Sequence, residues 1–208
     1  MKPTISIYLL ALILFCCKSN YILAQNGTYY VEKIKCMCQN TNGYKLILHY
    51  KNQASDLQSF AYGYGLEKFI MLNDSCKLIL IKDLLSYSSD TSVCCLDIVA
   101  NSFNGIEGCR GEEYNADHYS IQIDALFMIN RLCWPKLMEL YSCYTVLYDT
   151  LKKVDINNDP AKIEIVFQEY KKWLQDCQRK GKIPRYFPFN DGRYVWTGGR
   201  QSIARKDE

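Results

Sequence analysis

The segment Asn115–Trp134, NADHYSIQIDALFMINRLCW, decides the architecture. Tyr119, Ile123, Leu126, Phe127 and Asn130 recur at helical spacing, and Ile121, Ala125, Met128 and Leu132 fill the adjacent faces. A helix that is apolar nearly all round has no side to give to water. The spacing therefore predicts a buried central helix over 115–134. Asn115 or Asp117 is placed to cap its start, and Pro135 fits a helix that stops just before it.

Toward the C-terminus the pattern is simpler. Asp159 is a candidate N-cap, Pro160 suits the first helical position, and Gly181 suits the C-terminal cap, with Pro184 beyond. Between them Ile163, Val166, Phe167, Tyr170, Leu174 and Cys177 form one apolar stripe, opposite Lys162, Glu164, Gln168, Glu169, Lys171, Lys172 and Gln175. This predicts an amphipathic surface helix. The tail that follows holds Tyr186, Phe187, Phe189, Tyr194 and Trp196, either docked on the core or exposed as a binding patch. Docking is the more usual outcome, because burial is what repays the ordering of aromatic side chains.

Toward the N-terminus the signals are β. Thr28–Cys38 is rich in β-formers, Asn40 to Gly43 carries turn chemistry, and Tyr44–Tyr50 reads as a second strand, so a hairpin is expected. Phe60–Leu72 is ambiguous between helix and strand. Cys76–Tyr87 is expected to be a strand passing into helix, Thr91–Phe103 a strand, and the glycine-rich Asn104–Glu113 a loop. The expected fold is thus α+β: N-terminal antiparallel strands packed with a buried central helix and a C-terminal amphipathic helix.

Residues 1–24 are expected to be a signal peptide: Lys2 gives a positive head, Ile5–Cys17 an apolar run, and Ala24 a small residue at the cut. The run is too short to span a bilayer, which takes about 20 apolar residues, so no membrane span is expected after cleavage. Residues 25–200 form the expected single domain and 201–208 a frayed tail. The expected location is outside the cytoplasm, periplasmic or secreted.

Export changes the reading of the cysteines. Beyond the signal these are Cys36, Cys38, Cys76, Cys94, Cys95, Cys109, Cys133, Cys143 and Cys177. In an oxidising compartment the default is disulfides, favoured over redox chemistry and over metal. The odd number leaves one cysteine over. Cys36-x-Cys38 on a strand points both sulfurs to one face, so they can reach different partners. Neither that pair nor vicinal Cys94-Cys95 has the two-residue spacing of a zinc ribbon, and no metal or cofactor is implied.

Residues 73–150 carry five positive and eleven negative side chains, and residues 151–208 carry thirteen positive and eight negative. The halves can complement each other in the fold or form patches that steer partners. No dense basic patch is interleaved with stacking aromatics, so nucleic acid is not an expected partner.

Three motifs carry a resemblance: His-Tyr-Ser-Ile-Gln at 118–122, Tyr-x-x-Trp at 170–173 and Trp-x-Gly-Gly at 196–199. Over its C-terminal half the chain resembles small exported bacterial proteins of no established function. The resemblance implies an α+β domain outside the cytoplasm and little chemistry.

No nucleophile-elbow, zinc-protease or P-loop motif is present. The candidate catalytic groups are His118 with the carboxylates Glu112, Glu113, Asp117 and Asp124 around the start of the central helix. A buried acid there could serve glycoside chemistry; solvated helix-start acids and a structurally bonded Asp124 are the plainer reading. The favoured function is therefore an exported, non-catalytic protein that binds a partner protein, such as an immunity or inhibitor protein blocking an antibacterial toxin. The tail aromatics Tyr186, Phe187, Phe189, Tyr194 and Trp196, with Glu112 and Glu113, are its expected interface. A small secreted hydrolase using the paired carboxylates and a structural envelope component are the alternatives.

Overall fold

The computed structural model describes residues 27–38, 41–61, 63–98, 114–133, 144–184 and 192–197. The expected signal peptide and its cleavage site, the 104–113 loop with Cys109, Glu112 and Glu113, then Cys143, Tyr186, Phe187, Phe189 and the 201–208 tail lie outside the described residues.

The fold is α+β. Two antiparallel three-stranded sheets are described, in the orders β1-β2-β3 and β5-β4-β6. β1 (Thr28–Cys38) and β2 (Thr41–Lys51) pair along their whole length, with Tyr30 opposite His49 and Cys36 opposite Gly43. Three residues of the expected turn, Thr41, Asn42 and Gly43, already belong to β2. β3 (Asp56–Ser59) adds to the far edge of β2. The second sheet joins β4 (Leu147–Asp149), β5 (Val154–Asp155) and β6 (Tyr194–Trp196).

The helices are α1 (Leu66–Ile70), α2 (Asp74–Leu84, continued by a 3-10 turn at Leu85–Tyr87), α3 (Ile121–Cys133) and α4 (Pro160–Lys180). All thirteen residues of α3 are buried, as its all-round apolarity requires. β2, α1, α2 and the 3-10 turn pack around it, and α2 also meets β1 and α4. Phe127 of α3 meets the Trp196 ring of the second sheet edge-on at 5.3 Å between centroids.

Three expectations are corrected. Cys76–Tyr87 is helical from its start, without the expected initial strand. Asn73 starts it: its side-chain oxygen accepts from the Cys76 amide at 2.9 Å. The dense apolar run Leu78–Ile81 fits either period, so the cap decides. Thr91–Phe103 forms no strand within its described part. Val93 and Cys94 make only isolated bridges, to Ser120 and Tyr44. The central helix begins at Ile121, not Asn115, because the preceding backbone is spent on that pairing: the Tyr119 carbonyl accepts from the Cys94 amide at 2.8 Å. Asn115 instead donates its amide to Asp155 Oδ2 at 2.7 Å, and Asp117 turns to His118, so neither caps the helix.

The amphipathic helix α4 forms as its sequence dictates. Asp159 Oδ1 accepts from the Lys162 amide at 3.1 Å, Pro160 opens the helix, and Gly181 closes it at φ 64°, where a side chain would be strained. Its stripe is buried, and Trp173 lies in it too. Tyr194 and Trp196 of the tail are docked in the core, and the Trp196 indole donates to Tyr170 Oη at 3.1 Å.

Candidate functional site

The described residues gather sulfur at one place. Cys36 and Cys38, two apart on β1, share a face of the hairpin. The segment at Val93–Cys95 is brought alongside β2 through its backbone. The Tyr44 amide donates to the Val93 carbonyl at 3.0 Å and the Cys95 amide to the Tyr44 carbonyl at 2.8 Å. Gly43, the register partner of Cys36, makes the approach possible. A Cβ there would lie 2.5 Å from the Val93 carbonyl oxygen and 3.1 Å from the Cys95 nitrogen.

Cys36 and Cys95 are joined by a disulfide across 59 residues of sequence, with their Cα atoms 6.1 Å apart. It staples the hairpin to the segment that leads toward α3. Closing a loop of that length removes about 4 kcal/mol of unfolded-chain entropy in the simplest model. Cys38 Sγ stands 3.4 Å from Cys95 Sγ. A disulfide sulfur has no hydrogen to give, so any donor in this contact is the Cys38 thiol. The three sulfurs lie within 4.8 Å of one another, with Cys36 and Cys38 half-buried and Cys95 buried. That triangle is tight enough to hold a soft metal ion if all three were thiolates, but two of them are bonded to each other here.

The neighbouring thiol does not compete. Cys94 points into the core, and burial, reinforced by the charge of Asp124, pushes it far above the usual thiol range. Cys76, Cys133 and Cys177 are buried elsewhere; burial pushes Cys177 up to about 12. Of the nine disulfide candidates, Cys36 and Cys95 form the described bridge.

The acid–base candidates are scattered. Asp124 is sealed in the core, where its Oδ2 accepts from the Leu46 amide at 3.2 Å. Burial pushes its carboxyl up to about 7, against the opposing Leu46 hydrogen bond and the Lys45 charge. Asp117 and His118 pair with each other in the open, and the His118 hydrogen bond holds the Asp117 carboxyl below the usual range. One carboxylate is therefore closed to substrate while the other is in solvent. The structure does not bring Asp117 and Asp124 to a shared opening.

Sequence reasoning overlooked a cluster around His49. Its ring stacks on Tyr30 at 4.4 Å, with Nε2 3.1 Å from Glu32 Oε2 and Nδ1 3.8 Å from Asp56 Oδ1. Three strands supply these groups, so only the register of the first sheet reveals it. The imidazole is buried between the Tyr30 ring and the two carboxylates, which suits a structural role better than proton transfer to a substrate.

No described helix is long and apolar enough to cross a membrane. No protein-family model matches the chain, and no curated protein or solved structure matches it.

Proposed function

We propose that the chain is an exported, non-catalytic binding protein that engages a partner protein, in its most concrete form a periplasmic immunity or inhibitor protein that blocks an antibacterial toxin. The observation that carries this reading is the Cys36–Cys95 bridge, because disulfides form and persist in oxidising compartments. The charged head and apolar run of residues 1–24 point to the same compartment.

Of the expected interface, Tyr194 and Trp196 are spent on the core, so they are not available to a partner, while Tyr186, Phe187, Phe189, Glu112 and Glu113 lie outside the described residues. Among the described residues Tyr64 and Met71 offer a contact surface: both are exposed and they bracket α1, whose Leu66 and Phe69 face inward. Tyrosine and methionine are enriched in protein interfaces, and both adapt well to a partner's surface.

The test is fractionation of the native host combined with a photo-crosslinking amino acid at position 64 or 71. Recovery in the envelope or the medium, with one discrete protein adduct from these positions, is the expected result. Recovery in the cytoplasm, or no adduct from either position, overturns the reading.

A further inference from the structure

Cys38 is a described thiol whose sulfur touches the Cys36–Cys95 bridge. It is within 3.4 Å of the bridge sulfur that solvent does not reach. From this geometry we propose that Cys36, Cys38 and Cys95 form a disulfide-exchange centre, in which the bridge moves between Cys36–Cys95 and Cys38–Cys95.

The step needs nothing from outside. The Cys38 thiol gives its proton to water, and the resulting thiolate attacks Cys95 Sγ. The Cys38–Cys95 bond forms as the Cys36–Cys95 bond breaks, and Cys36 leaves as a thiolate that takes a proton back. One disulfide and one thiol exist before and after, so no electron is gained or lost.

Three features bear on the exchange. Cys36 and Cys38 share a face and a strand, so both alternate bridges close nearly the same loop onto Cys95. Attack runs along the S–S axis; Cys38 Sγ stands off that axis but in contact with Cys95 Sγ, so the exchange requires the Cys38 side chain to turn into line. Cys95 is buried, so a thiol from solution meets Cys36 first, whereas Cys38 is already at Cys95. The exchange exposes a different half-buried thiol on β1 in each isomer: Cys38 in one, Cys36 in the other. It is independent of whether a partner protein binds.

Peptide mapping of the purified full chain tests it. The chain is held at pH 8 without added thiol, quenched in acid, alkylated with N-ethylmaleimide and cleaved after Met37 with cyanogen bromide, which separates Cys36 from Cys38. Both Cys36–Cys95 and Cys38–Cys95 linked peptides are expected, with the alkyl label divided between Cys38 and Cys36. Cys36→Ser should yield Cys38–Cys95 as its bridge, and Cys38→Ser should yield Cys36–Cys95 alone. Recovery of Cys38 as the sole alkylated member of the three in the wild-type chain, after prolonged incubation, overturns the proposal whatever the variants do. If Cys36→Ser does not fold, the wild-type map decides.

Discussion

The helices α3 and α4 obey the same period and owe their existence to different things. In α4, 7 of 21 residues are buried, and both ends are written in adjacent residues, Asp159 with Pro160 at the start and Gly181 at the finish. In α3 all 13 residues are buried, including Gln122, Asp124, Asn130 and Arg131. Its polar groups depend on distant elements. The Leu46 amide of β2 serves Asp124, and the Tyr170 hydroxyl of α4 donates to Asn130 at 2.8 Å. A one-faced helix is stabilised locally and by its stripe; a fully buried one is stabilised by everything else folding around it.

That contrast can be broken. The largest effect should come from Phe127→Ala in α3, which removes a fully buried ring and its edge contact with Trp196. A loss of about 3–5 kcal/mol is expected in denaturant unfolding. A loss below about 1 kcal/mol would mean that α3 is not at the centre of the core.

Asp124 gives the next largest effect, and its sign is fixed by its raised carboxyl. Below the unfolded value near 4, both states are protonated and the group is neutral toward stability. From there to about 7 the unfolded chain ionises while the folded chain does not, so stability falls as pH rises and then levels off. Over that window the fall is about 4 kcal/mol at most. Asp124→Asn should flatten the profile and be the more stable form at pH 8. A wild-type profile already flat between pH 4 and 7 would contradict the sealed placement of this carboxyl.

The smallest of these effects belongs to α4. Asp159→Ala removes the N-cap and should lower stability by about 1 kcal/mol, with no special pH dependence beyond the cap's own carboxylate. A loss several times larger would show that α4, too, depends on contacts beyond its own ends.

The same division explains what could be read in the sequence. α4, the β1–β2 hairpin and the burial of the central helix follow from period, caps and β-formers close together in the chain. The sequence of α2 reads as a strand passing into helix because its apolar run satisfies two periods, and Asn73, the residue that settles it, lies outside the run. The start of α3 was placed six residues early because Tyr119 and Ser120 pair with Cys94 and Val93, a contact no local pattern announces. At the sulfur site, Cys36-x-Cys38 on a strand was legible as two sulfurs on one face. The choice of Cys95 was not, since it depends on Gly43 admitting a segment 50 residues further along. The carboxylates looked like a group because they are close in sequence, yet a helix start separates a solvent residue from a core residue within one or two turns.

The bridge between Cys36 and Cys95 underlies both the proposed compartment and the staple that holds the hairpin to the core, and trapping thiols in living cells of the native host tests it most directly. Cells are quenched in acid, free thiols are blocked before any reduction, and the chain is isolated and mapped by mass spectrometry. The expected result is a linked peptide that joins Cys95 to the Cys36–Cys38 segment. Recovery of Cys36, Cys38 and Cys95 all alkylated without prior reduction would contradict it.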